Sequence, residues 1–138
     1  MRDDPNIFNG SASCAGSQCH GALNELPGAD IQHNEYTIWS DGSSAKHVNA
    51  FRVLDSGVAR QIARNMGVGE PQSAELCLSC HAMNVPVHQQ GENFNITEGV
   101  GCEACHGASG LWLDKHQDLD VSLEELRAMG MFPTNDPV

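Results

Sequence analysis

The sequence is poor in positive charge and in aromatic side chains. It has 7 Lys and Arg against 18 Asp and Glu, a formal net charge of −11, and only 5% aromatic residues. A surface of this sign repels nucleic acid and anionic lipid. It favours free diffusion and transient docking to partner proteins with basic surfaces, at rates that fall as salt is added.

Long apolar runs are also absent. No stretch reaches the length that spans a bilayer, so we expect no direct membrane insertion. The opening residues MRDDPNIFNG are acidic and lack the apolar core of a signal peptide, so we expect a leader to have been removed. At 138 residues, the chain is predicted to form a single domain over 1–138.

Cysteine and histidine, in contrast, follow a strict pattern. All six cysteines fall into three sites in which two cysteines are followed directly by a histidine. Two sites have the Cys-x-x-Cys-His spacing, and the first has four residues between its cysteines. The sites are Cys14, Cys19 and His20; Cys77, Cys80 and His81; and Cys102, Cys105 and His106.

This pattern is the attachment motif of c-type haem. The two thiols add to the two vinyl groups of one porphyrin, and the adjacent imidazole ligates the iron. Three disulfides would not need a histidine after each second cysteine. Zinc knuckles pool two pairs around one ion, and three pairs leave one unmatched. We therefore predict three covalently attached haems c, with Cys14 left free as the alternative at the stretched site.

Four further histidines are candidates for the distal face of the iron. His47 lies on a segment with helical periodicity, SSAKHVNAFRVL, which Ser43 or Ser44 is expected to cap, and His116 follows Trp112. His33 and His88 compete for the third position. The methionines at 66, 83, 129 and 131 could also ligate iron, but methionine side chains more often pack in a hydrophobic core.

The ligand count decides between a carrier and an enzyme. Bis-histidine ligation closes both faces of the iron, leaves only electron transfer and holds the potential low. An open face would permit reduction of a small nitrogen or oxygen species. We expect no catalytic residues and no enzyme activity unless one haem keeps an open face.

The secondary structure is expected to be mostly α-helical with extensive loops around the haems. Helices are predicted over SGVARQIARNMG, with Val58, Ile62 and Met66 facing a haem, and over the Cys77 site, where Ser73 is the expected cap. A capping box of Ser122 and Glu125 predicts a third helix that stops at Gly130. The glycines within GVGCEACHGASG are expected to let the backbone approach a porphyrin.

Three segments together resemble the multihaem cytochromes of the cytochrome c-554 type. They are NEYTIWSDGSSAKHVNAF, LCLSCHAMNVP and EGVGCEACHGASGLWLDKH, in that order, within residues 31–116. The resemblance implies that His47 and His116 are distal ligands and that closely stacked haems transfer electrons. Family members commonly carry a fourth haem site, which this chain lacks, and one of them has a five-coordinate haem.

We therefore expect a trihaem cytochrome c in the periplasm or outside the cell, relaying electrons to or from redox partners. The alternatives are a module of a larger multihaem or polymeric electron-conducting assembly, and a small reductase of nitrogen species.

The haem count is directly testable. A pyridine haemochrome assay on the purified protein is expected to give three haems per chain, because three complete attachment sites are present. A value of two would show that the stretched site does not attach haem.

Overall fold

The computed structural model describes residues 4–25, 27–28, 33–42 and 45–133. In these ranges the chain forms short α-helices and single 3₁₀ turns joined by loops, and no strand beyond an isolated bridge between Phe8 and Gln90. None of the described helices is long and apolar enough to cross a membrane. The helices are α1 (Glu35–Ser40), α2 (Gly57–Met66), α3 (Glu75–His81), α4 (Glu103–His106) and α5 (Leu123–Ala128).

Local capping sets the ends of α2 and the start of α5. In α2 the Ser56 hydroxyl accepts from the amide of Ala59, and Gly67 ends the helix in the left-handed conformation at φ 69°. In α5 Ser122 and Glu125 form the predicted capping box. Hydrogen bonds from the Ser122 hydroxyl and amide hold the pKa of the Glu125 carboxyl below its usual value.

Helix α3 is also confirmed, but its predicted cap is not. The residue before the first turn is Ala74, whose side chain cannot cap. The hydroxyl of Ser73 instead donates to the carbonyl of Glu70 at 3.3 Å, within the turn that follows Pro71. The helix begins without a side-chain cap, and Leu78 anchors it in the core.

The segment around His47 is a run of turns rather than the predicted helix. The amide side chain of Asn49 donates to the carbonyls of Gly42 and Ala45, which competes with helical backbone bonding. The carbonyl of His47 accepts from the amides of Ala50 and Val100, at 3.1 and 3.0 Å. Tertiary bonding therefore overrides the helical periodicity. The expected caps, Ser43 and Ser44, lie outside the described residues.

The apolar core is small. Leu54, Leu78 and Ala82 form its main cluster, and Phe51 and Ile96 pack against it. The eight buried hydrophobic residues among those described are Ile7, Leu54, Ala63, Ala74, Leu78, Ala82, Trp112 and Leu126.

On α2 the larger apolar side chains face outward. Ala63 is buried, whereas Val58, Ile62 and Met66 are 70%, 51% and 53% exposed. Among the described residues, α2 therefore packs against the rest of the protein through the small side chain of Ala63. The apolar stripe of Val58, Ile62 and Met66, which was expected to face a haem, is not covered by other protein segments.

A buried carboxylate joins the N-terminal segment to α4. Glu103 is 3% exposed, and its two oxygens accept from the backbone amides of Asn9, Gly10 and Ser109 at 2.8 to 2.9 Å. The carboxylate satisfies three backbone donors at once, which fixes residues 9–10 beside the third Cys/His site.

We expect Glu103→Gln to lower the free energy of unfolding by about 2 kcal/mol or more, because an amide group replaces an oxygen that accepts from buried N–H groups. Chemical denaturation of the haem-loaded protein measures the change. Glu124→Gln, on the exposed side of α5, is the matched control and should leave stability almost unchanged. Equal stability of the two variants would show that the Glu103 carboxylate does not tie these segments together.

Candidate cofactor sites

The three Cys/His sites lie on different elements. The first spans the end of the 3₁₀ turn Ser11–Cys14 and the loop after it, the second lies on α3, and the third begins just before α4. Two cysteines three positions apart on a helical turn project from the same side, which explains the two-residue spacing at the second and third sites. None of the six cysteines is in a disulfide, and Cys80 and Cys105 are exposed.

In each site, the Nδ1 atom of the histidine donates a hydrogen bond. The acceptor is an oxygen in a different part of the chain, and the distances are 2.9 to 3.0 Å. The pairs are His20 with a carboxylate oxygen of Glu35, His81 with the carbonyl of Ala50, and His106 with the carbonyl of Phe132.

These bonds fix the tautomer of each ring. A carbonyl or carboxylate oxygen only accepts, so Nδ1 carries the hydrogen and Nε2 keeps its lone pair. A histidine that ligates a metal through Nε2 has its other ring nitrogen bound in this way to an oxygen acceptor. The donor set of the three sites therefore fits haem iron on chemical grounds.

His116 shares this arrangement, although it belongs to no Cys/His motif. Its Nδ1 is hydrogen-bonded to the carbonyl of Leu113. Its ring lies 6.2 Å from that of His20, centre to centre, and the two planes differ by 12°. Two imidazoles that ligate one metal ion from opposite sides have centres about 6 Å apart, since each metal–nitrogen bond is about 2 Å. The ring-centre distance of His20 and His116 matches this value, and the two rings are stacked. Ligation of one iron would also require both Nε2 atoms to point at it.

The structure brings His47 to the second site. A cavity of about 410 Å³ is lined by His47, Cys80 and His81 together with Ala50 and Val53. His47 thus shares an open, partly apolar space with the thiol and the imidazole of that site, even though it lies in a turn and not on a helix.

The first and third sites meet at their leading cysteines. The side chains of Cys14 and Cys102 interact, which raises the pKa of the Cys14 thiol and lowers that of Cys102. The amide of Cys102 also donates to the hydroxyl of Ser11 at 3.4 Å, on the same 3₁₀ turn as Cys14. The sulfur atoms of two sites are thus adjacent.

The glycines of residues 99–110 lie close to other segments of the protein. A Cβ at Gly99 would lie 2.4 Å from the carbonyl oxygen of His47, and one at Gly107 would lie 2.4 Å from that of Gly130. Both glycines also have positive φ, at 73° and 81°, which disfavours any side chain. They admit neighbouring protein backbone, where a porphyrin had been expected. A Cβ at Gly101 would meet the Ser11 hydroxyl at 2.5 Å, and one at Gly110 the Asp4 carbonyl at 2.1 Å.

The two competing histidines differ in their surroundings. His33 has φ 63°, a positive value found at no other non-glycine residue in the described ranges, and its buried Nδ1 has no acceptor there. Its carbonyl accepts from the amide of Ala22, which places it beside the first site. His88 is exposed on the 3₁₀ turn Val87–Gln89. His33 thus lies beside the first site but lacks the Nδ1 acceptor that the motif histidines have, whereas His88 lies on the surface.

Sequence reasoning missed the oxygen acceptors behind the imidazoles. Nothing in the sequence marked Glu35 as an acceptor except its position just before Tyr36. The backbone carbonyls of Ala50 and Phe132 cannot be recognised from sequence, because every residue has a carbonyl. Glu103 lies inside the third motif, where its burial could not be read from its spacing. The histidines could be counted from the sequence, but the oxygen acceptors for their Nδ1 hydrogens could not be identified from it.

The chain matches a known protein family. The family model described as cytochrome c554 and c-prime matches residues 13–107. This span covers more than half of the chain and includes every cysteine and histidine of the three motifs. No curated protein and no solved structure matches at a significant level.

Proposed function

Because the chain belongs to the cytochrome c554 and c-prime family, we propose that it is a trihaem electron-transfer protein with histidine on both faces of at least two irons. A haem c electron-transfer role follows from the family. The number of haems, their axial ligands and the partners are our proposal. The observation that carries it is the pair His20 and His116, with ring centres 6.2 Å apart.

Each haem would be held by side chains from its own motif and by a histidine from elsewhere. His116 is the second ligand at the first site, and His47 at the second, where it lines the cavity of Cys80 and His81. The remaining position, at the third site, is assigned to His33 on the histidine count alone, since the structure places this residue beside the first site. The thioether cysteines are Cys14 and Cys19, Cys77 and Cys80, and Cys102 and Cys105.

Haem c supplies one-electron oxidation and reduction of its iron. The protein's part is to close the axial positions, so that no substrate reaches the metal, and to bring the cofactors close together. The contact between Cys14 and Cys102 supports close packing, because the two haems that these cysteines attach would have neighbouring edges. Electrons would then pass between the first and third sites without crossing a thick layer of protein.

The charge of the chain supports transient docking. A net charge of −11 favours partners with basic surfaces and an association rate that falls with ionic strength. Covalent haem attachment supports export to the periplasm or cell exterior, where such attachment takes place in bacteria and archaea. We propose no catalytic residue.

The proposal is tested by the spin state of the oxidised protein together with a redox titration. Full bis-histidine ligation predicts low-spin iron at all three haems, with potentials in the low range. A high-spin fraction near one third would identify one open face and would favour a small reductase. High-spin iron at most of the haem would refute the relay.

Replacing His116 tests the axial pair directly. In His116→Ala we expect the haemochrome count to stay at three, while one haem becomes high-spin, because the thioethers hold the haem but the iron loses one ligand. His88→Ala is the matched control, since that side chain is exposed, and it should stay low-spin. An unchanged low-spin spectrum in His116→Ala would rule out this ligand.

The acceptor behind His20 is charged, unlike the two carbonyls behind His81 and His106. A carboxylate strengthens the imidazole as a ligand and favours ferric iron. We therefore expect Glu35→Gln to raise one of the three reduction potentials by tens of millivolts, measured by spectroelectrochemical titration. Glu75→Gln, at an exposed position on α3, should leave all three reduction potentials unchanged. No shift in either variant would show that Glu35 does not tune the first site.

A further inference from the structure

The chain contains two lysines, and both directly precede a histidine that we assign to the distal face of an iron. Lys46 comes before His47, and Lys115 comes before His116. The remaining basic residues are all arginines, and none of them adjoins a histidine. A compact cation therefore stands beside each of these two ligands, in a chain that has few cations to place.

Both lysine side chains are accessible. Lys46 and Lys115 are exposed, and neither forms an ion pair with another residue in the described ranges. In a chain with a net charge of −11, an ammonium group that no protein carboxylate binds is available to an anion from another source. No protein segment has to move before such an anion reaches either lysine.

Lys46 also lines the space that the second haem would enter. The cavity of about 410 Å³ beside Cys80 and His81 is open, and among the described residues that line it Lys46 is the one Lys, Arg, Asp or Glu side chain. An anionic group in this cavity therefore meets a single charged residue, and that residue has the opposite sign.

Lys115 has the same relation to the first site. It directly precedes His116, whose ring is stacked against that of His20. Consecutive Cα atoms are about 3.8 Å apart, and the lysine ammonium is carried on a flexible four-carbon stem. The ammonium group can therefore reach the edge of a group whose centre the neighbouring imidazole binds.

The anions that haem brings are its two propionates. They lie on the edge of the macrocycle opposite the thioethers, and each adds negative charge to an already acidic chain. We propose that Lys46 and Lys115 each form an ion pair with a propionate of the haem that the following histidine ligates. The inference rests on the proposed function, since it assumes haem iron at His47 and at His116.

Each lysine acts as a positioning residue. It would hold the propionate edge of its haem and offset the propionate charge, which favours the reduced state of that iron. An exposed ion pair contributes little to the stability of the fold, so the effect is to be read from the haem itself.

The lysines are tested one at a time in the haem-loaded protein. With excitation in the haem absorption, we expect the resonance Raman propionate bending band of one haem to shift in Lys46→Gln, and that of another haem in Lys115→Gln. One of the three reduction potentials should fall in each variant, because a positive charge near that iron is lost. The double variant should lower two different potentials.

Two further variants separate ion pairing from other effects. Arg64→Gln is the matched control, because it removes the same charge from an exposed position on α2 that adjoins no proposed ligand and does not line the cavity. It should leave the propionate bands and the potentials unchanged. Lys46→Arg should restore the band that Lys46→Gln shifts, since arginine also pairs with a carboxylate.

Unshifted propionate bands in either glutamine variant would overturn the ion pair at that lysine. Equal shifts in Arg64→Gln would overturn both pairs, since the change would then follow from net charge alone. These outcomes are separable from failure of the relay, which depends on the haem count and on the spin state of His116→Ala. Both of those can hold while neither lysine contacts a propionate.

Discussion

The hydrogen bond behind each motif histidine is the constraint on which the sites depend. An imidazole that ligates iron needs its Nδ1 hydrogen placed on an oxygen, or the ring is free to turn and to exchange tautomers. The acceptors come from segments 15, 31 and 26 residues away in sequence from His20, His81 and His106. The loops, turns and short helices position those oxygens, and within residues 4–25, 27–28, 33–42 and 45–133 there is no extended sheet and no long helical bundle.

The chain's own side chains supply little apolar burial, and polar bonds hold its segments together. Glu103 binds three backbone amides, and Trp39 is bonded across 61 residues to Val100. Close backbone approaches at Gly99 and Gly107 bring the turn of His47 and the end of α5 to the third motif. Such bonds are directional, so they set position precisely where a few apolar contacts would not. Apolar side chains on α2 stay exposed beside this framework, as expected for a chain whose haems would supply much of its buried surface.

Sequence alone was sufficient for features that depend on local spacing. The motifs, the helix α2, and the capping box of Ser122 and Glu125 follow from residues that lie close together in sequence. The turn at His47 was missed because Val100, 53 residues later, takes the carbonyl that a helix would use. The acceptors for His81 and His106 were missed for the same reason, since a backbone carbonyl has no signal in the sequence. The sequence predicts which residues would bind a haem, and tertiary contacts determine how their side chains are oriented.

The two extra residues in the first motif acquire a physical reason from this arrangement. The amides of Cys19 and Gly21 both donate to the carbonyl of Gly16, so the added residues close a tight turn and do not lengthen a helix. This turn leaves His20 facing His116 while Cys14 reaches Cys102. The four-residue spacing thus accommodates both the turn at Gly16 and the interaction of Cys14 with Cys102.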